Sequence, residues 1–466
     1  DHSRERNRMG HMIQNVSDYI QVNRGKIKTA LQMAWPSVLE SFFVALAGMV
    51  DSIMVSSIGA YAVAAVGLTT QPKFIGLALF IALNVSVSAI VARRKGQNDR
   101  YGANQTLQLA LLFTIAAGIL VSTICVAFAD PIIRLCGSAE DTHDSAVLYF
   151  RIIMGGMIFN IISLVINAAQ RGAGKTRIAM VTNVTSNVTN IIGNYLLIGG
   201  HFGFPALGIE GAAIATVFGT VVACIMSIVS LFRKDSFVNA VYCVKEHVKL
   251  SLEPMQAIVK ISSSVFLEQI LMRIGFMSTA VMTAKLGTEA FAAHQVGMNV
   301  LSLTFSFGDG MQVAAVALIG QSPGKKKPEL AKSYGHICQR IGNVISVIVF
   351  ITYFLGGRAL YGLYFDEPHI IEMGVMIMQV IMAIVFLQIS QVIYMGCLRG
   401  AGDVLFTMAA STLSVTIIRT AVSYIGCFVL GWGLFGIWLG ILADQLSRFI
   451  LTGWRFRSGT WTKISL

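Results

Sequence analysis

Few ionisable side chains stand within the long apolar runs of this 466-residue chain, and they bound the chemistry it can do. Glu40 and Asp51 stand out in the first half. Glu268, Arg273, Asp309, Arg419, Asp444 and Arg448 stand out in the second. A charge at the middle of a bilayer costs roughly 2.5–3.5 kcal/mol. Each such group therefore needs a counter-charge, a proton or a water-filled cavity. Asp51, in MVDSIMVSSIG, can meet Asn190 and Asn194, whose i, i+4 spacing puts both amides on one helix face. One carboxylate among neutral oxygens suits a proton or a hard monovalent cation such as Na+. The plainer reading is an Asp satisfied by amide donors. Glu40 and Glu268 are mates in an internal repeat, facing a central cleft from opposite sides. The plainer reading of Glu268 is neutralisation by Arg273, five residues on, a spacing only fair for pairing on one helix. Asp444 and Arg448, at i and i+4, read as a local ion pair. Asp309, between Gly308 and Gly310, belongs to a broken or closely packed helix and lines a cavity. Arg419 either binds an anionic group or pairs with an acid. Glu40, Arg273 and Asp309 are thus candidates for the wall of a substrate cleft.

The elements that must position these groups follow from composition. Hydrophobic residues make up 55% of the chain and charged ones 12%, about half the usual share of a soluble domain. Apolar runs long enough to cross a bilayer fall at roughly 31–57, 66–92, 103–128, 147–170, 178–199 and 211–233. A second set falls at roughly 257–284, 291–320, 331–356, 371–395, 404–430 and 434–454. The fold expected is an all-α integral membrane protein of twelve transmembrane helices. Loop charge alternates. Arg24, Lys26 and Lys28, then Arg93, Arg94 and Lys95, then Arg171, Lys175 and Arg177 lie on one side, as do Lys325, Lys326, Lys327 and Arg399. Asp130, Glu140, Asp141, Asp144, Asp366 and Glu367 lie on the other. The positive-inside rule then places both termini of this multi-pass membrane protein in the cytoplasm. This distribution, with no basic face or aromatic platform, assigns the net charge of +12 to the lipid surface and not to nucleic acid.

QRGAG at 170–174 recurs as LRGAG at 398–402, an offset of 228 (399 − 171) that also maps Glu40 onto Glu268 and Gly96 onto Gly324. Two copies of six helices share one orientation and are related by a pseudo-two-fold along the membrane normal. The boundaries expected are a cytoplasmic segment 1–26, a first lobe 27–233, a linker 234–256, a second lobe 257–456 and a tail 457–466. Residues 1–11, with GHM, read as a cloning remnant, and no cleavable signal peptide is seen. Seven scattered cysteines without CxxC spacing read as packing residues, not a disulfide or metal framework. Two parallel lobes around a midplane site is a transporter plan with alternating access. No P-loop is present, so an ion gradient would drive it. The 21 Met and 27 Phe would suit a tolerant cleft. Pro36 would kink the first span and serve as a hinge.

Several motifs occur together: VDSIMVSSIG after a Pro-kinked first span, VARRKG, QRGAG and LRGAG, NIIGNYLLI followed by LGIEGAAIAT, IGQ at 319–321 and the tail RFRSGTWTK. As a set they resemble the MATE (multidrug and toxic compound extrusion) family, from about residue 27 to 463, with mixed NorM-like and DinF-like features. The resemblance implies a cation-coupled exporter of small amphiphilic or cationic compounds, monomeric in the bilayer. It implies no cofactor beyond Na+ or H+ as coupling ion, and no metal beyond Na+ at Asp51, Asn190 and Asn194. It assigns Asp51, Asn190, Asn194 and Thr216 to a cation or proton site in the first lobe, and Glu268 to the second. One branch carries Asp where Asn194 stands. Another carries an acid where Gln388 stands, with Gln391 following, so these two are also cleft candidates.

Other readings exist. A lipid-linked precursor flippase of the same superfamily would have more spans and more cations in the cleft. Export of one specific metabolite is a further alternative. A major-facilitator transporter also has two six-helix lobes, but RGAG in both halves argues against it. An enzyme would need clustered His, Cys or acids at membrane depth, and only His294 comes near.

Overall fold

The computed structural model describes residues 2–324, 328–401 and 403–463. Lys325, Lys326, Lys327 and Gly402, part of the charge and repeat patterns, lie outside the described residues. A first helix, α1 (His2–Val22), buries none of its residues. The first half continues with α2 (Arg24–Ser56), α3 (Ala60–Gly96), α4 (Arg100–Ala127), the short α5 (Ala129–Leu135), α6 (Glu140–Gly155), α7 (Met157–Gly172), α8 (Thr176–Ile198) and α9 (Ile209–Ser230). After α10 (Ala240–Lys245), the second half contains α11 (Met255–Ala284), α12 (Thr288–Gly324), α13 (Pro328–Tyr364) and α14 (Pro368–Gly400). It ends with α15 (Val404–Thr412), α16 (Arg419–Tyr424) and α17 (Leu434–Ser458). Two π-helical stretches, Leu413–Ile418 and Ile425–Val429, join α15 to α16 and extend α16.

Among the described residues, nine helices are long and apolar enough to cross a membrane, ten with α6 and α7 taken as one span bent by 46°. Gly155 and Gly156 stand at that bend, where a glycine pair permits a sharp kink. The expected count of twelve also needs α8 and α12, which are long enough to cross. Helix α8 carries Asn183, Asn187, Asn190 and Asn194 as a stripe along one face. Helix α12 carries His294, Gln295, Asn299, Asp309 and Gln312. Both polar faces turn toward protein, as the site below shows.

The repeat is visible in how the halves meet. Helix α2, first of its half, packs on α12, second of the other. Helix α3, second of its half, packs on α11, first of the other. A two-fold exchange of equivalent elements produces such a pairing. Hydrogen bonds cross this seam near both ends of the helices. At the end where α2 begins, Lys26 Nζ donates to Ser333 at 2.9 Å. There also, Ser86 donates to the Ile258 carbonyl at 3.1 Å and Ser262 to Ser86 at 2.9 Å. At the opposite end, Asn299 Nδ2 donates to Ser52 at 2.8 Å and Thr288 to Asp141 at 2.9 Å. Gly310 of α12 lies against the backbone of Val38 in α2, so close that a side chain there would collide. Helix α12 runs unbroken through Asp309, so its glycines serve close packing and not a break.

The connection between the halves is fastened to the first. Arg100 donates to the carbonyls of Ser236 (2.9 Å) and Phe237 (3.0 Å). Asn104 accepts from the Asn239 backbone N–H at 2.9 Å. Asn239 then caps α10 by accepting from Val241 N–H at 2.8 Å. Lys175 donates to Asp235 at 3.2 Å, and this bond holds the Asp235 carboxyl below the usual carboxylate range. Helix α2 continues through Pro36 without interruption. The seven cysteines are free thiols, six of them buried.

Candidate functional site

Asp51 sits in the last turns of α2, which ends at Ser56, and the Asn stripe of α8 faces it. Asn190 Nδ2 donates to Asp51 Oδ1 at 3.3 Å, and Asn194 Nδ2 donates to the same oxygen. Asn190 Oδ1 in turn accepts from the Thr216 hydroxyl of α9 at 3.3 Å. Tyr149 of α6 faces Thr216. Asn194 is buried, and its own Oδ1 has no hydrogen-bond partner. One acid from α2, two amides from α8 and a hydroxyl from α9 thus converge, the acid well over a hundred residues from its partners.

A further group joins them. Lys73 of α3 projects into the first lobe, and its charge acts on the Asp51 carboxylate. It falls within the expected span 66–92, in the run QPKFIG, and belongs with the intramembrane ionisable groups, although the sequence reading passed over it. Beside it is a cavity lined by Lys73, Met154, Asn160, Thr216 and Thr220, among others, with about 30 Å³ for water-sized occupants. That is room for one or two waters. It is far below the several hundred Å³ that a drug-sized ligand needs. The cavity is therefore an ion- or water-scale site.

The second lobe holds a different cluster, next to the seam. Arg399, at the end of α14, lies 3.7 Å from the Glu268 carboxylate of α11. Gln312 of α12, with its amide set to satisfy its neighbours, accepts from Arg399 at 3.2 Å and donates to Asp309 at 3.3 Å. Ser41 of α2 donates to Asp309 at 3.1 Å. A polar chain therefore runs from Glu268 through Arg399, Gln312 and Asp309 to a residue of the other lobe. The repeat reproduces its ends. Glu40 and Arg171, the mates of Glu268 and Arg399, interact electrostatically, with Asp309 also acting on Glu40. Both arginines looked like loop charges in the sequence. The offset of 228 already paired each with its glutamate (40 + 228 = 268; 171 + 228 = 399).

Three expectations change. Arg273 does not neutralise Glu268. Its guanidinium stacks on Phe74 of α3 (4.5 Å) and Phe276 (5.4 Å), crossing the seam as a cation–π contact. Gln388 and Gln391 do not line an opening. They are buried, Gln388 donating to the Leu301 carbonyl at 3.4 Å and Gln391 to Gln445 at 3.1 Å. The Asp444–Arg448 pair is present at 2.9 Å but is not closed, because Arg419 joins it at 3.4 Å. This also answers which role Arg419 takes: it pairs with an acid. His294 packs edge-on against Trp438, ring centroids 5.4 Å apart. Among the described residues, no group of three or more His, Cys, Asp or Glu could hold a metal ion.

Two helical lobes exchanging equivalent elements across a seam, with acids and bases sequestered beside it, define a two-lobed membrane transporter. A family model described as MatE matches residues 36–196 and 265–425, one copy in each half. The chain belongs to this family. It is 27% identical over 437 residues to the probable multidrug resistance protein NorM of Thermotoga maritima, covering 94% of this chain and 93% of that one. It is 24% identical over 438 residues to the uncharacterized transporter YisQ of Bacillus subtilis, covering 94% and 95%. Among solved structures, the inward-facing form of a multidrug resistance MATE family transporter of the MOP superfamily superposes with a TM-score of 0.80. Identity there is 21%, over 90% of this chain and 96% of that one. The outward-facing form gives 0.74, covering 93% and 97%. These likenesses establish the fold.

Proposed function

We propose that this protein exports small cationic or amphiphilic compounds from the cytoplasm in exchange for Na+ or H+, by rocking of its two lobes. Residues 27–233 and 257–456 are the moving bodies and 234–256 the link between them. The chain acts as a monomer in a bacterial inner membrane with both termini in the cytoplasm. The observation that carries this reading is the convergence of Asp51, Asn190, Asn194 and Thr216 beside an ion-sized cavity in the first lobe. A carboxylate whose partners are amides and a hydroxyl can gain or lose a cation without dismantling the fold around it. Glu268 contributes from the second lobe, where its contact with Arg399 can open or close as charge changes. Membership in the family, and the names of the relatives, favour drug-like substrates.

Dye efflux from a transporter-deficient host tests this. Efflux is expected in the wild type and to collapse when the ion gradients are dissipated. Asp51→Asn is expected to reduce gradient-driven efflux by more than about tenfold, the order of effect of removing a coupling charge. Glu268→Gln should reduce it by less. Intact efflux in both variants would sink the site assignment, and failure to move any amphiphile would sink the substrate class.

A further inference from the structure

The end of the first lobe where α8 begins carries a second, larger cavity, of about 790 Å³. It lies between α8 and α9, and the connection between the lobes forms part of its wall. We infer that this cavity binds the headgroup and upper chains of one anionic phospholipid from the surrounding leaflet. The inference needs the chain to be in a membrane and is independent of what it transports.

The rim of the cavity is basic. Lys175 and Arg177 stand at the start of α8 and Arg233 just beyond the end of α9, so all three lie at one level. Asp235 is the acid that lines the cavity, and Lys175 already answers it at 3.2 Å. Arg177 and Arg233 are exposed and form no ion pair among the described residues. Three bases against one acid leave an excess of two positive charges (3 − 1). Two guanidiniums are thus open to a phosphate, whose oxygens they can hold in bidentate fashion. The wall is apolar. Val181 of α8 and Ile225 and Val229 of α9 line it, roughly one to two turns in from the rim. They remain 41%, 57% and 57% exposed. A free phosphate gains nothing from such a wall, whereas the acyl chains of a phospholipid do. On the floor, Ser230 and Ser236 already accept from Gln170 at 3.2 and 3.0 Å, so recognition falls to the rim. Basic pockets between transmembrane helices, on the side rich in Lys and Arg, are where anionic headgroups dock.

The repeat supplies an internal comparison. The offset of 228 puts Asp403 and Leu405 where the first lobe has Lys175 and Arg177 (175 + 228 = 403; 177 + 228 = 405). Asp403 is closed by Arg455 at 2.7 Å, and Leu405 is an exposed apolar side chain. A general excess of positive charge on this side of the membrane would serve both copies alike. At these positions the basic rim belongs to the first copy alone, which marks it as a built site and not a by-product of topology. Asp235 and Ser236 belong to the connection between the lobes, so a bound lipid braces that connection against α8 and α9.

Native mass spectrometry of the delipidated full-length chain in detergent tests this, with added palmitoyl-oleoyl phosphatidylglycerol or the phosphatidylcholine of the same chains. One phosphatidylglycerol is expected to stay bound at concentrations where phosphatidylcholine is lost. A basic residue beside an anionic lipid is worth about fivefold in binding, so Arg177→Gln and Arg233→Gln should each weaken phosphatidylglycerol by about fivefold, and together by about twenty-five-fold. Val229→Trp fills the groove without altering charge and should also weaken it. Arg24→Gln combined with Lys28→Gln removes as much charge from the same side and should change nothing. Equal loss in that control, or equal binding of the two lipids, overturns the inference, since general surface charge or detergent-like binding then explains the result. Displacement by excess glycerol 3-phosphate overturns it as well, because the site then takes phosphate without chains. Should the double variant fail to fold, the single variants and Val229→Trp still decide. Absence of dye efflux by the wild type would instead strike the transport reading and leave the lipid result standing.

Discussion

Asp444 is fully enclosed and answers two guanidiniums at once, Arg448 at 2.9 Å and Arg419 at 3.4 Å. Arg419 is itself buried, with Thr279 at 3.3 Å as a further partner and the Phe276 ring at 4.8 Å. It stands between two π-helical stretches, whose extra residue per turn lets one side chain be re-aimed. Removing a single partner from a buried ionic cluster is more costly than replacing the whole, because a charge is left without compensation. Asp444→Asn keeps the shape and deletes the charge. It is expected to destabilise the chain by about 3–5 kcal/mol, seen as a lower midpoint of thermal unfolding in detergent. An unchanged midpoint would mean that the triad is wet and weakly coupled. The exposed pair Arg358–Glu372, at 3.2 Å, supplies the contrast. Its disruption should change stability by no more than about 1 kcal/mol.

Helices meet here through backbone as much as through side chains. Gly436, in the first turn of α17, lies against the main chain of Gly426 and Cys427, and a Cβ there would overlap it. Gly356, in α13, has open space around its α-carbon. The same substitution should therefore act in opposite directions. Gly436→Ala must push α17 away from the stretch after α16 and is expected to cost about 1–3 kcal/mol. Gly356→Ala removes backbone freedom from a helix interior and is expected to stabilise by about 0.5–1 kcal/mol. Thermal unfolding of the two variants side by side separates close approach from propensity. Helix α8 makes a related point about polarity. Four asparagines on one face lower its membrane-crossing character, and that face is the one that supplies Asp51 with its donors.

Across the whole molecule, alternating access requires the seam to open at one end while the other stays shut. Hydrogen bonds now cross it at both. Ser86–Ser262 holds the end where α2 begins, and Ser52–Asn299 the opposite end. Neither pair contains a candidate coupling residue. Cysteine pairs placed at Ser86 and Ser262, or at Ser52 and Asn299, in a background without the native cysteines, are expected to form disulfides under mild oxidation. Each cross-link should abolish dye efflux, and reduction should restore it. If one cross-linked form still transports at full rate, that end of the seam does not move. The polar chain from Glu268 through Arg399, Gln312 and Asp309 to Ser41 crosses the same seam, so charge changes in either lobe bear directly on it.

Bilayer thickness dictates how long an apolar run must be, so the runs in the sequence predict the helices that form. Each run overlaps a long helix, although 147–170 is split between α6 and α7 and 404–430 is interrupted by π-helical stretches; α1, α5 and α10 carry no span. The repeat was equally legible, since an offset of 228 maps most of the first copy onto the second, and with it came the equivalence of Glu40 and Glu268. Spacing within a helix also put Asn190 and Asn194 on one face, and Asp444 beside Arg448. What sequence spacing cannot state is how one helix is rotated against another, because that is set by side-chain packing at the contact. Hence the partner of Glu268 is Arg399, 131 positions away (399 − 268), and not Arg273 on the same helix. For the same reason Gln388 and Gln391 turn into the lobe, and Lys73, a lone base in an apolar run, acts electrostatically on Asp51. Sequence alone supplied the ionisable groups and the helices that carry them; the tertiary structure decided which charges meet.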